Sequence, residues 1–293
     1  RPAEAADIAA TTLPVYHFTS MLCEGTGLTV ARLVTESVSC LHDYSLNVSQ
    51  VRAVEQAKLI VISGVGLEDF MADVLQDRPV LDASAGVSLL ESCHGHEHED
   101  HHHEHDAHIW LSPANAIIMA QNICAGLCRE YPQKQEVFEK NLASLLLQLQ
   151  DLQNYAEAQL SSLSCRELIT FHDGFSYFAD AFDLTILEAI EEESGSEASA
   201  KDLIHLIEEV EHHNLPAVFT EKNGSPSAAE VISRDGELLD KILPRKDMAG
   251  YFPCGTAIQN LRTCLEKPLT RDTYHLSYDL GRYTAGLTFL KTV

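Results

Sequence analysis

Short apolar runs rich in β-branched residues alternate along this chain with longer segments in which apolar residues recur every three or four positions. The short runs predict strands at 28–34, 59–63, 80–81, 168–171, 184–187 and 217–220. The longer segments predict helices at 49–56, 67–75, 113–129, 133–160, 200–213 and 226–232. Alternation of this kind is typical of a mainly parallel sheet flanked by helices, so the pattern predicts the α/β class.

The segment 133–160 is longer than a typical globular helix and contains neither Gly nor Pro. Strand and helix patterns stop alternating there and resume at Leu168. We interpret the segment as one rigid helix that joins two α/β lobes, with a coiled-coil arm as the alternative. The predicted division is an N-terminal lobe at 1–131, the linking helix at 132–162, a C-terminal lobe at 163–266 and a tail of unknown role at 267–293.

Composition and charge exclude several classes of protein. The 293 residues are 45% apolar and carry a formal net charge of -24, which argues against a nucleic-acid partner. No apolar run approaches the roughly 20 residues of a membrane span, so we expect the chain as given to be soluble. The N-terminus lacks the features of a signal peptide, and a signal or lipid-anchor segment would have preceded Arg1. The eight cysteines form no Cys-x-x-Cys pair, so no zinc ribbon or thioredoxin-like motif is indicated.

Eight of the fifteen histidines fall between positions 94 and 108, mixed with five acidic residues. Imidazole and carboxylate groups together suit borderline divalent ions such as zinc. We interpret the loop 94–107 as a flexible, accessory metal collector. Its histidines are His94, His96, His98, His101, His102, His103 and His105. His108 differs from them, because Ile109, Trp110 and a predicted Ser112-Pro113 helix start follow it directly.

Two further histidines follow predicted strands. His42 comes a short loop after the strand 28–34, and His172 directly follows the strand 168–171. In open parallel sheets ligands bind beyond the carboxyl ends of the strands, so His42, His108 and His172 are candidate metal ligands. Any one of them alone is more often a cap or a core residue. Residues so far apart in sequence form a site only if two lobes face each other.

Several ordered motifs resemble the metal-binding solute-binding proteins of ABC transporters, of the zinc- and manganese-type (cluster 9). They are His42-Asp43-Tyr44-Ser45-Leu46, Gly64-Val65-Gly66-Leu67-Glu68, His108-Ile109-Trp110-Leu111-Ser112-Pro113, the stretch from Phe171 to Phe178, the stretch from Ser194 to Leu203, and Phe219-Thr220-Glu221. The resemblance covers roughly positions 10 to 266 and is closest to the zinc-uptake members with a His-rich loop.

The resemblance implies two α/β lobes joined by a long helix, with one metal ion in the cleft between them. Carried over by motif, His42, His108 and His172 are the first three ligands and Asp247 is the fourth, with Glu221 or water as the alternatives. Three imidazoles and one carboxylate favour zinc, whereas manganese prefers a site richer in oxygen.

The implied function is high-affinity capture of Zn²⁺ outside the cytoplasm and its delivery to the membrane permease of an ABC transporter. We expect a monomer, either periplasmic or lipid-anchored. A closed four-coordinate site has no open position for substrate, which argues against an enzyme. Three alternatives stay open: a manganese or other divalent metal-binding member, an adhesin, and a zinc metallohydrolase with Glu221 as general base.

Overall fold

The computed structural model describes residues 6–35, 44–91, 105–191 and 199–215. The chain divides into two compact units. The first contains the described residues up to Leu90 and those from His105 to Asp151, and the second takes up Glu91 and those from Leu152 onward. The division falls inside the long helix, and the lobe boundaries drawn from the sequence stay a prediction.

The first unit is built on a sheet of four parallel strands. They are β1 (Ile8–Ala10), β2 (Val30–Arg32), β3 (Leu59–Ile62) and β4 (Val80–Asp82), in the spatial order β2-β1-β3-β4. All three residues of β1 are fully buried between its two neighbours. The sequence pattern misses this inner strand, because three residues, two of them alanine, are too short to show any periodicity.

Among the described residues, four α-helices lie wholly within the first unit. They are α1 (Leu13–Cys23), α2 (Val48–Gln56), α3 (Ala72–Leu75) and α4 (Pro113–Glu130). The prediction misses α1, whose aromatic and β-branched residues are mediocre helix formers. The helix predicted at 67–75 is wrong in its first half. Val65 and Gly66, just before it, take positive φ angles, and a turn at 67–68 and a short 3-10 turn at Asp69–Met71 precede α3.

The start of α4 follows the prediction. Ser112 is the N-cap, and its Oγ accepts a hydrogen bond from the backbone N–H of Asn115 at 3.4 Å. Gly126 lies in the buried face of this helix, where an added Cβ would overlap the Cδ1 methyl of Leu81 in β4. The missing side chain therefore lets α4 lie directly against the sheet.

The long helix α5 (Gln135–Leu160) follows a 3-10 turn at Pro132–Lys134 and extends from the first unit into the second. Its 26 residues correspond to about 39 Å. The second unit continues with β5 (Glu167–His172), α6 (Ser176–Ala181), β6 (Thr185–Glu191) and α7 (Ala200–His213). Strands β5 and β6 pair in parallel, with an irregularity between Leu168 and Ile169.

The α/β class, the parallel sheets and the long helix are confirmed. The bounds of α7 match the predicted 200–213, and α6 was missed because it spans six residues. The predicted strand 217–220 and helix 226–232 lie outside the described residues. No helix in the described part of the chain has the length and apolar character needed to cross a bilayer.

Candidate metal centre

Of the predicted ligands, the structure describes His108 with its side chain and His172 by its backbone. His108 lies between the loop 105–107 and a buried 3-10 turn, in the first unit. The backbone of His172 ends β5 in the second unit. His42, Glu221 and Asp247 lie outside the described residues, as do the collector histidines His94, His96, His98, His101, His102 and His103. The structure therefore shows the geometry of one predicted ligand in full.

The imidazole of His108 is held by a buried carboxylate. Its Nδ1 lies 2.7 Å from Oδ1 of Asp106, and the same oxygen accepts the backbone N–H of His108 at 2.8 Å. The side chains are 14% exposed for His108 and 4% for Asp106. Because this contact engages Nδ1, coordination of a metal by His108 would use Nε2. A carboxylate in this position fixes the ring and increases its basicity as a ligand.

The segment around this pair is fixed by its neighbours. The backbone N–H of Asp106 donates to the carbonyl of Leu90 at 3.0 Å, and the N–H of Leu111 donates to the carbonyl of His108 at 3.1 Å. The ring of His108 meets Trp110 edge-on, with 5.3 Å between the ring centroids. Trp110 and Leu111 are themselves buried. His108 is thus presented by a short, well-packed turn.

The sequence predicts no separate role for Asp106, which is one of the acidic residues of the loop 94–107. The described residues 105–107 belong instead to the packed turn, with Asp106 and Ala107 both buried. His105 is half-buried, and its Nδ1 has no hydrogen-bond partner in the described structure. The Asp-x-His spacing of Asp106 and His108 was the available signal for a carboxylate partner.

A buried glutamate organises the neighbouring ends of β1 and β3. Glu68 accepts hydrogen bonds from the hydroxyl of Thr11 at 2.6 Å and from the backbone N–H groups of Ser63 and Gly64 at 2.7 and 3.0 Å. Burial raises the pKa of Glu68 to about 7, against the lowering effect of these three hydrogen bonds, and nearby Asp82 raises it further. Glu68 is the last residue of the motif Gly64-Val65-Gly66-Leu67-Glu68, and the sequence predicts no role for it.

Gly64 is needed beside Glu68. Its φ of +91° is in the left-handed region, and an added Cβ would overlap Oδ1 of Asp82 and Oγ of Ser84. The backbone can therefore approach both Glu68 and the end of β4 only with glycine at this position.

One side chain joins the two flanks of the segment that contains His42. The amide nitrogen of Gln50 in α2 donates to the carbonyl of Leu33 at 2.8 Å, just after β2, and contacts the hydroxyl of Tyr44 at 2.6 Å. Asn47 caps α2, and Gln50 completes a capping box with it. The chain before residue 36 and the chain after residue 43 are thus held at one place.

His172 occupies the end of a parallel strand, as predicted for a ligand-binding edge. It is the last residue of β5 and is paired in register with Glu191, the last residue of β6. Carboxyl ends of parallel strands are the usual position of ligand-binding residues in α/β proteins.

Two of the four cysteines in the described structure, Cys23 and Cys124, are buried thiols. Burial raises the pKa of Cys23 and that of Cys124 to about 12 in each case. Neighbouring groups add to the shift: Asp7 for Cys23, and Cys128 for Cys124. All four described cysteines, which also include Cys128 and Cys165, are free of disulfide bonds.

The family model described as "Zinc-uptake complex component A periplasmic" (ZnuA) matches residues 8–252. A second model, described as a domain of unknown function, matches residues 243–293. The two matches overlap around Asp247, so the predicted fourth ligand lies where the first match ends.

Among curated proteins, the zinc-binding lipoprotein AdcA of Streptococcus pneumoniae R6 is 30% identical over 249 residues, 81% of this chain and 49% of AdcA. The zinc-binding protein AdcA of Streptococcus pyogenes serotype M3 is 25% identical over 256 residues, 80% of this chain and 49% of that protein. The chain thus spans about half the length of these curated relatives.

Solved structures agree in fold. The Zn(II)-bound ZnuA-like domain of Streptococcus pneumoniae AdcA superposes with a TM-score of 0.72 at 25% identity, covering 89% of this chain and 99% of that one. A crystal structure of ZnuA gives a TM-score of 0.74 at 24% identity, with 98% and 96% covered, and shows likeness of fold alone.

Proposed function

The chain belongs to the zinc-uptake component A (ZnuA) family, and from that membership we propose that it captures Zn²⁺ outside the cytoplasm and delivers it to an ABC permease. The family is one of solute-binding components of transporters rather than of enzymes. Zinc is the transported ion in this proposal, and the protein releases it to the permease.

The pairing of Asp106 with His108 is the observation on which this proposal chiefly rests. A partly buried imidazole whose Nδ1 contacts a buried carboxylate is the arrangement typical of metal-ligating histidines. The contact also leaves Nε2 as the ring nitrogen that can bind zinc, so the ion would lie on the side of the ring opposite Asp106. A histidine that only filled core space would not need a buried charge beside it.

We propose His42, His108, His172 and Asp247 as the ligands, with Glu221 as the rival for the fourth position. Three imidazoles and one carboxylate suit zinc in tetrahedral geometry. The streptococcal relatives are named for zinc binding, which supports the same ion here.

The histidines from 94 to 103 would raise the local concentration of zinc near this site without forming part of it. We propose that the protein works as a monomer, in the periplasm or attached to the outer face of the membrane by a lipid. The lipoprotein relatives support that location.

Two loop deletions test the site assignment sharply. Removing residues 94–103 should abolish weak zinc binding and preserve one tight site, because Asp106 and His108 both remain. Removing residues 94–107 also deletes Asp106, and should weaken the tight site by about 10- to 100-fold. Zinc affinity is measured for both deletions by competition with a fluorescent chelator.

The variant His108→Gln provides the comparison, because it removes the ligand and leaves the loop intact. This variant should lose the tightly bound zinc ion and keep the weakly bound zinc ions. Loss of the tight site in the 94–103 deletion would place binding in the loop, and unchanged affinity in His108→Gln would refute the ligand assignment. Delivery is tested with the cognate permease in proteoliposomes, where zinc uptake should depend on His108.

A further inference from the structure

A group of metal-binding side chains lies at the C-terminal end of α7, apart from the residues proposed above. Glu209, His212 and His213 each offer one ligand atom, and these three atoms lie within 4.8 Å of one another. We call them the α7 cluster. All three residues fall in the second unit, and neither the family motifs nor the predicted ligand set includes them.

The ring of His213 lies between two carboxylates. Its Nδ1 is 3.0 Å from Oε2 of Glu167, at the start of β5, and its Nε2 is 3.4 Å from Oε2 of Glu209. If Nδ1–H donates to Glu167 in the neutral ring, the lone pair of Nε2 faces the negative oxygen of Glu209. This contact is repulsive unless a proton or a metal ion lies between the two atoms.

The separation of Nε2 and Oε2 fits a bound metal ion. Nitrogen and oxygen ligands about 2.1 Å from zinc, at tetrahedral angles, are about 3.4 Å apart. The observed 3.4 Å between His213 and Glu209 is the same distance. Glu167 then plays the part of the carboxylate that fixes the tautomer of a ligating histidine.

His212 supplies the third donor and is exposed, with its ring centroid 4.9 Å from that of His213. The cluster also occupies the last turn of a helix that ends at Asn214 in the left-handed conformation. The C-terminus of a helix carries partial negative charge, which favours a cation there. The donor atoms, their spacing and the helix C-terminus all favour a bound divalent cation.

We propose that the α7 cluster is a second divalent metal site, selective for borderline ions such as Zn²⁺, with Glu209, His212 and His213 as ligands and Glu167 as the positioning residue. A three-ligand site that is open to solvent keeps room for water or for a fourth donor. The site does not depend on the proposed ligands His42, His108, His172 and Asp247.

Chemical footprinting of histidines tests this site directly in the full chain. The protein is treated with diethyl pyrocarbonate with and without zinc, and modification is read peptide by peptide in a mass spectrometer. Zinc should protect His212 and His213 and leave His205, on the same helix, unchanged. Glu209→Gln should abolish the protection. The matched control is Glu208→Gln, which changes an exposed glutamate on the same helix and should retain the protection.

Glu167→Gln separates positioning from coordination. It should raise the zinc concentration for half-protection by about 10- to 100-fold without removing a ligand. The double variant His212→Gln with His213→Gln should bind one zinc equivalent fewer than the wild type.

Each contrary result overturns the proposal. An unchanged stoichiometry in the double variant does so, as does protection that persists in Glu209→Gln. If zinc leaves His212 and His213 unprotected in the wild type, His213 forms only an ion pair with its two glutamates. Failure of this proposal can be distinguished from failure of the proposed transport site. His108→Gln should remove the tightly bound zinc ion of the transport site, while zinc still protects the α7 cluster.

Discussion

At the scale of single residues, Asp106 controls how His108 can act. The carboxylate orients the ring through Nδ1 and also binds the backbone N–H of the same residue. A rigid ligand loses less conformational entropy when the metal binds, and a charged partner makes the imidazole a better donor.

Replacing that charge should weaken zinc binding without removing a ligand. An asparagine amide in this position would still accept a hydrogen bond but would carry no negative charge, so we expect Asp106→Asn to lower zinc affinity by about tenfold or more. The exposed carboxylate of Asp151 gives the control Asp151→Asn, which should bind like the wild type. Isothermal competition titration measures both. Equal affinity for the two variants would show that the partner does not matter.

Glu68 should make the stability of the fold depend on pH. Its pKa is raised from 4.5 to about 7 by burial, so its contribution to stability is complete below about pH 4.5 and is lost as pH rises through 7. The linkage amounts to about 3 kcal/mol. Urea unfolding at both ends of this range should show the free energy of unfolding of the wild type falling relative to that of Glu68→Gln.

The matched control for this effect is Glu55→Gln, which removes an exposed glutamate and should leave the pH profile of the wild type unchanged. If Glu68→Gln and the wild type have parallel profiles, Glu68 is ionised throughout and the assignment is wrong.

Residues were predictable where the sequence itself contains the local cue. The Ser112-Pro113 helix start follows from capping chemistry and was found in the structure. The role of Glu68 was not predicted, because it depends on burial and on partners such as Thr11, which is 57 positions away. Asp106 lies two residues from His108, but its burial depends on the surrounding fold. Charge in a sequence does not reveal whether a carboxylate will be enclosed.

At the scale of elements, the contact between α4 and β4 depends on a missing side chain. Gly126→Ala should gain about 1 kcal/mol of helix propensity but lose more through overlap with Leu81, for a net loss of about 1–2 kcal/mol. Chemical denaturation measures the change.

A double-mutant cycle tests whether overlap with Leu81 causes this loss. Leu81→Ala alone opens a cavity and should cost about 2–5 kcal/mol, since Leu81 is buried. With Gly126→Ala, the new methyl group occupies part of that space, so the double variant should lose less than the sum of the single losses. Additive losses would mean that the two residues do not meet.

Elements were predicted well when they were long and periodic. The pattern gave α4, α5 and α7 with bounds within about two residues. It missed β1, which lies inside the sheet, because a strand of Ile-Ala-Ala gains its identity from the neighbours β2 and β3. Strand pairing is a long-range property that local pattern does not encode.

At the scale of the whole molecule, the excess of acidic residues should speed the capture of cations. The chain has 44 acidic and 20 basic residues, and the field of such a charge extends over the screening length of the solvent. The Debye length falls from about 30 Å at 0.01 M salt to about 8 Å at 0.15 M. We expect the association rate of zinc to fall on the order of tenfold over this range.

Stopped-flow measurement with a zinc-sensitive dye tests this prediction. The dissociation rate should change little with salt, because bonds of about 2 Å between zinc and its ligands are too short to be screened. A salt effect found mainly in dissociation would indicate that the binding site itself is loosened.

The enclosed thiols Cys23 and Cys124 have a consequence for chemical selectivity. Zinc binds the thiolate rather than the thiol, and with pKa values of about 12 only roughly one molecule in 10⁵ holds either sulfur as thiolate at pH 7. Cys23 and Cys124 therefore stay protonated at neutral pH in the folded protein. Zinc that reaches the folded chain therefore meets nitrogen and oxygen donors in place of these two thiols.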